Sequence, residues 1–332
     1  MARDNLFYKM GQVLSQENAL LLYSVSTNLN MMFIVSSNMA KIQICLLLFL
    51  IPLMGYSQKN ILNDMQGLSL NGDMIFELDG YIMTIQKEKA AFNEKGFQKI
   101  KKKYHLNDIV REYSDKNVKW ENWVIEANTT VKGVPKAKGF QLCYLLPETD
   151  NRMMVVLLQS ANGRDSLVEK AFMNAVFSRQ LSQYTMDSWV AEKIDFAGRE
   201  IMLGDVCQWV SPHNVHCASF GQMGWSIFKT EKEAELNTLI QIANNNNSGR
   251  YKIMHEEELN VIFEGVPTLA KRITYKINTS KLMSGGRNVL AVYYITQKVR
   301  GKYLSCVLTH YVEVKDNYSL PILLKEVMSI PI

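Results

Sequence analysis

The densest chemistry in the chain lies in one segment, Cys207-Gln-Trp-Val-Ser-Pro-His-Asn-Val-His-Cys217. Its thiols and imidazoles, Cys207, His213, His216 and Cys217, are all residue types that bind transition metals. The spacing is not that of a familiar zinc module, so a metal centre is the weaker of its readings. A disulfide between Cys207 and Cys217 is simpler, because the Ser211-Pro212 turn between them would bring both cysteines together across a hairpin. Free thiols are the third arrangement. Disulfides persist only in oxidising compartments, so the destination of the chain bears directly on this choice.

Residues 39–57 have the pattern of a secretory signal peptide. Lys41 supplies the positive charge, Ile44 to Met54 the apolar run, and Gly55 and Ser57 the small residues before a cut at Gln58. The run is shorter than the roughly 20 residues a membrane-spanning helix needs. Cys45 begins the apolar run rather than following it, which is the wrong place for lipid attachment. Residues 1–38 are read as an over-extended start or a disordered leader, with Met39 as the true start. The expected protein is therefore exported, periplasmic or secreted, and touches a membrane only through a transient signal peptide.

The same segment could also be the centre of a hydrolase or metal-dependent enzyme of unfamiliar type. A Cys217 nucleophile beside His216 is disfavoured, because adjacent residues on a strand point to opposite faces. The chain has no Gly-x-Ser-x-Gly elbow, phosphate-binding loop or His-Glu-x-x-His helix. His105, His255 and His310 are scattered, and Cys143 and Cys306 lie in apolar strands as core residues. The balance leans away from catalysis and implies no cofactor. A net charge of +5 over 332 residues gives no electrostatic case for nucleic acid. The lysines between Lys87 and Lys103 are interspersed with Glu88 and Glu94, as on a solvated helix face.

A short internal match organises the remainder. Residues 126–135 and 258–267 agree at Glu126/Glu258, Asn128/Asn260, Gly133/Gly265, Val134/Val266 and Pro135/Pro267. Glycine and proline together bend or end a strand. The bend requires neither the glutamates nor the asparagines, so Glu126, Asn128, Glu258 and Asn260 are candidate binding residues.

Around that match the apolar periodicity predicts two tandem similar units, residues 58–184 and 185–332. In the first, a hairpin turns at Asp79-Gly80, a helix covers 88–104, strands follow, and a helix covers 165–177 with Ser166 and Glu169 at capping-box spacing. In the second, a helix opens at a Thr230/Glu233 capping box, and a closing helix starts near Ser319 with Leu320, Leu323, Leu324, Val327 and Met328 on one face. The fold class expected is α+β, each unit a mostly antiparallel sheet with packed helices. That element order is similar to the Mog1/PsbP-like fold of small binding and assembly proteins, a likeness of topology that transfers no residues.

The function expected is a non-catalytic binding or assembly role in the cell envelope, toward an unknown protein or small ligand. Trp120, Trp123, Trp209 and Trp225 are rings that could line a groove, although core packing is the ordinary fate of each.

Overall fold

Alternation of apolar side chains on both faces of a strand requires a cover on each side. Leu142, Tyr144 and Leu146 enter one buried cluster, while Cys143 and Leu145 enter another. The computed structural model describes residues 61–331, apart from 71, 187, 219, 278–287 and 314–317. The segments expected to be a signal peptide, 39–57, and an over-extended start or leader, 1–38, lie outside the described residues.

The first sheet is built from β1 (Gln66–Leu70), β2 (Asp73–Leu78), β3 (Tyr81–Glu88), β4 (Asp108–Tyr113), β5 (Trp123–Val131), β6 (Val134–Pro147), β7 (Met153–Ser160) and β8 (Thr185–Met186). Its order is β4-β5-β6-β7-β3-β2-β1-β8, antiparallel throughout except where β8 runs parallel to β1. Helix α1 (Glu94–Lys103) follows β3, and α2 (Ser166–Phe177) follows β7. A two-stranded ribbon, β9 (Lys193–Phe196) and β10 (Arg199–Met202), leads to the second sheet. That sheet contains β11 (Cys207–Ser211), β12 (Asn214–Cys217), β13 (Gly221–Phe228), β14 (Tyr251–Phe263), β15 (Val266–Ile277), β16 (Val289–Val299), β17 (Lys302–Tyr311) and β18 (Met328–Ser329). Its order is β11-β12-β13-β17-β16-β15-β14-β18. Helix α3 (Glu231–Asn247) follows β13, and α4 (Ile322–Lys325) follows β17.

The α+β expectation is overturned: of the described residues 51% are in strands and 20% in helices, so the fold is mostly β, with two eight-stranded sheets and few helices. Helix was over-read at element ends. The segment expected as helix over 88–104 forms α1 only from Glu94, where the Asn93 side chain accepts from the Gly96 amide. The closing helix stops at Lys325 because the residues beyond it join the sheet: Met328 pairs with Phe263, and the Glu264 amide donates to the Val327 carbonyl. Asp165, not Ser166, caps α2, accepting from the amides of Leu167 and Val168. The Thr230/Glu233 capping box forms as its spacing predicts.

Counted from its own first strand, each sheet runs 1-2-3-7-6-5-4, with one helix after the third strand and another after the seventh. The short eighth strand joins beside strand 1 in the first sheet and beside strand 4 in the second. The ten-residue match, however, aligns hairpin β5–β6 with hairpin β14–β15, one strand out of step with that order. It therefore marks a kind of turn rather than equivalent positions. Glu264 and Gly265 both have positive φ, 50° and 80°, as do Asp79-Gly80, Ala197-Gly198 and Arg300-Gly301. Two such residues make the type I′ turn, whose twist matches that of the strands it joins. A Cβ at Gly265 would meet nothing within 4 Å, so only its backbone conformation resists substitution. Gly265→Ala is expected to lower stability by about 1–2 kcal/mol, read as a lower urea midpoint with an unchanged slope.

Three of these turns are tied together. Glu264 accepts from Arg199 Nη2 at 2.6 Å and from Arg300, whose guanidinium also bonds the carbonyls of Phe196 and Ala197. Helix α3 covers the second sheet, above Ile273, Tyr275, Val292 and Tyr294, and its Ile240 and Ala243 also pack on Val134 and Ala137 of β6. It is thus wedged between the sheets, and what it leaves open beside it is the candidate site.

Candidate functional site

Alternation places Phe76, Leu78, Met83 and Ile85 in the core beneath α2. Ile75, Glu77, Ile82 and Thr84 must then occupy the opposite face of the β2–β3 hairpin. That face looks onto strands β11–β13, β16 and β17 and one side of α3, bordering a partly open cavity of about 540 Å³. Such a volume is within the range of small-molecule sites, roughly 300–1,000 Å³.

His213 sits on its wall, in the two-residue turn between β11 and β12, and is buried. Its backbone carbonyl accepts from the Trp225 amide at 2.9 Å, and its ring packs on the Trp225 indole with centroids 5.4 Å apart. Nδ1 is 3.0 Å from Glu77 Oε2, while Ser211 Oγ donates to Glu77 Oε1 at 3.2 Å. An ionised carboxylate only accepts, so Nδ1 carries the proton in that bond. That Nε2 atom and Trp225 Nε1 are both buried without a hydrogen-bond partner. Leaving such an atom unsatisfied costs about 1–3 kcal/mol. An indole N–H and an imidazole nitrogen, both without partners and both on residues of the cavity wall, are groups that a ligand's polar atoms can complete.

Cys207 and Cys217 lie directly opposite each other in β11 and β12, and their sulfurs are bonded. With both thiols consumed and His213 held by Glu77, the four residues do not converge on a metal. His216 is exposed, on the other face of β12 from Val215 and Cys217. Among the described residues no group of three or more His, Cys, Asp or Glu side chains is placed to hold a metal ion. Ser211 bonds the carboxylate rather than the imidazole, whereas a nucleophile must hand its proton to the base.

The residues marked by the internal match scatter. Glu126 is buried and saturated: Arg111 binds it through two bonds of 2.7 Å, Tyr113 donates at 2.9 Å and Arg164 at 3.1 Å. Burial opposes its ionisation, but the bonds from Arg111 and Tyr113 and the charge of Arg164 outweigh this and hold its carboxyl below the usual range. Arg164 also bonds Glu169, where burial prevails and pushes the carboxyl up. Glu258, Asn128 and Asn260 are exposed on their strands. The matched glutamates therefore occupy unlike environments, the matched asparagines are both exposed, and none of the four lines the cavity.

Of the four tryptophans noted from sequence, Trp225 lines the cavity. Trp209 packs behind it in the core, Trp123 stacks on Phe97 and donates to Glu112, and Trp120 meets Phe177 edge-on. Sequence reasoning missed Glu77. It alternates with Phe76 and Leu78 and so reads as solvent-facing; only the packing of a second sheet makes that face interior.

No protein-family model matches the chain. No curated protein matches it either. Among solved structures, DynU16, a protein of the dynemicin biosynthetic locus, is similar at 9% identity over 70% of this chain and 87% of that one, with a TM-score of 0.20. The di-domain aromatase/cyclase BexL of the BE-7585A pathway gives 10% identity over 70% and 84%, TM-score 0.15. The di-domain StfQ of the steffimycin pathway gives 10% over 79% and 77%, also with a TM-score of 0.15. Likenesses this weak carry no argument.

Proposed function

We propose that this is an exported binding protein of the cell envelope whose cavity between the sheets holds a small ligand. The observation that carries the reading is the pair of buried, unpartnered nitrogens, His213 Nε2 and Trp225 Nε1, on residues of the cavity wall. A protein that gained nothing from them would fill the space with apolar side chains. Export is supported by the residue pattern at 39–58 and by a cross-strand disulfide, which an oxidising compartment maintains.

The test is a thermal-shift screen of small molecules against the wild type and His213→Gln. Compounds that stabilise the wild type are expected to bind the variant about tenfold more weakly, the loss of one hydrogen bond in a buried site. Equal binding by a variant with an unchanged circular dichroism spectrum would contradict the assignment.

A second reading rests on the Glu77–His213 pair, since a carboxylate that orients an imidazole is also the layout of a general base. Under it, a compound that binds would be converted by the wild type and left intact by His213→Gln. Product analysis after incubation separates a catalyst from a carrier.

A further inference from the structure

We infer that the ligand of this cavity is an uncharged, polyhydroxylated molecule of the saccharide class. The inference rests on the binding reading above and specifies what is bound.

Charge comes first. The described residues lining the cavity include the carboxylates Glu77 and Asp79 and no lysine or arginine. Lys229, the nearest cation to Asp79, is committed outside the lining, to Asp79 at 3.4 Å and to Asp165 at 2.7 Å. An anion entering here would lose its hydration and gain no counter-charge, a cost that buried ions rarely recover. Phosphorylated or carboxylated ligands are therefore disfavoured on energetic grounds.

Hydrogen-bonding capacity comes second. Five side-chain amides line the space: Asn214, Gln222, Asn237, Gln241 and Asn245. Some are pre-oriented by bonds that use only their N–H groups. Asn237 donates to Ser305 Oγ at 3.1 Å and Asn245 to the Tyr294 hydroxyl at 2.6 Å, so both amide oxygens are left as acceptors. Gln222 donates to Asn214 Oδ1 at 2.9 Å, which leaves the Asn214 amide protons and the Gln222 oxygen. Such a surface asks for groups that donate and accept at once, as a hydroxyl does. A purely apolar guest would strip water from these amides and give nothing back. The orphaned nitrogens ask for the same kind of group, since a hydroxyl can accept from an indole N–H and can either donate to or accept from an imidazole nitrogen.

Shape comes third. Trp225, Phe228 and Tyr251 are aromatic residues of the lining, whereas the Tyr81 ring lies in the core on the other face of β3. Aromatic faces interleaved with amides suit a ring whose flat sides are C–H and whose edge is hydroxyl.

The experiment is titration calorimetry of the disulfide-intact protein with neutral mono-, di- and trisaccharides. Digalacturonate serves as the anionic counter-probe and decanoate as the apolar one. Saturable one-to-one binding of a neutral saccharide, weakened roughly fivefold to tenfold in Trp225→Phe through loss of one donor, is the result expected. Trp225→Phe keeps an aromatic ring in the core, and its unfolding transition is checked in parallel. Binding of digalacturonate or decanoate in place of the neutral sugars, weakened by Trp225→Phe, would overturn the ligand class and leave the cavity reading standing. Sugar binding indifferent to Trp225→Phe would overturn the assignment to this cavity. No saturable binding by any probe would overturn the saccharide inference, and the thermal-shift screen then judges the cavity reading by itself.

Discussion

Replacing Cys207 and Cys217 together by alanine is expected to lower stability by about 2–3 kcal/mol, the loop-closure entropy of a bridge spanning so short a segment. Both residues are buried at 2% and 1% exposure, so the alanines also leave a small apolar void. The consequence extends to the site. The bridge closes the β11–β12 hairpin five residues before its Pro212-His213 tip at the one end and four after it at the other, and that tip carries His213. Loosening the hairpin frees His213 from Glu77, so ligand affinity should fall together with the urea midpoint. Reductant should leave the native protein unaffected and act only when denaturant exposes the sulfurs. Cys143 and Cys306 behave differently: buried as free thiols in apolar strands, with burial pushing both thiols up, they contribute packing alone.

The second large effect is on pH dependence. His310 is buried against Tyr293, rings stacked 5.8 Å apart, with Arg272 bonded to the same tyrosine hydroxyl. Burial, reinforced by the Arg272 charge, brings its pKa down to about 4, against a bond from its ring to the Tyr311 carbonyl that works the other way. The unfolded chain takes up this proton near pH 6.5 and the folded chain does not, so the stabilisation is complete above pH 6.5. It is lost as pH falls from there through 4, by about 3 kcal/mol in all. His310→Phe, which keeps a ring against Tyr293, should flatten that slope. The depressed carboxylates act in a separate window. Glu126, outweighing its burial through Arg111, and Asp165, held by Lys229, lose their contributions as pH falls from the ordinary carboxylate value through their lowered ones. Urea midpoints at pH 7, 5.5 and 4 for wild type and His310→Phe distinguish the two.

Much of the strand layout was legible because it rests on local signals. Asp79-Gly80 and Arg300-Gly301 announce type I′ turns, and Thr230 with Glu233 announces a helix start. The fold class was misjudged where tertiary pairing overrides periodicity, as at Met328, whose helical spacing from Leu324 gives way to pairing with Phe263. The Gly-Val-Pro match was real but local: it follows from what a tight hairpin needs, so it recurs on hairpins that are not equivalent. The site was half legible. His213, Cys207 and Cys217 stood out by residue type, whereas Glu77 and the orphaned indole of Trp225 acquire meaning only when one sheet is laid over the other. No periodicity within a strand reports which second sheet will face it.

The central claim, that the space beside His213 and Trp225 is where ligand binds, is tested most directly in the indole N–H region of a nitrogen-15 correlation spectrum. The chain has five tryptophans, and Trp225→Phe assigns the resonance concerned. On saturation with the compound that stabilises the protein most, the Trp225 indole proton should move downfield as it gains an acceptor, while those of Trp120, Trp123 and Trp189 stay in place. Saturation with the Trp225 resonance unmoved would contradict the account.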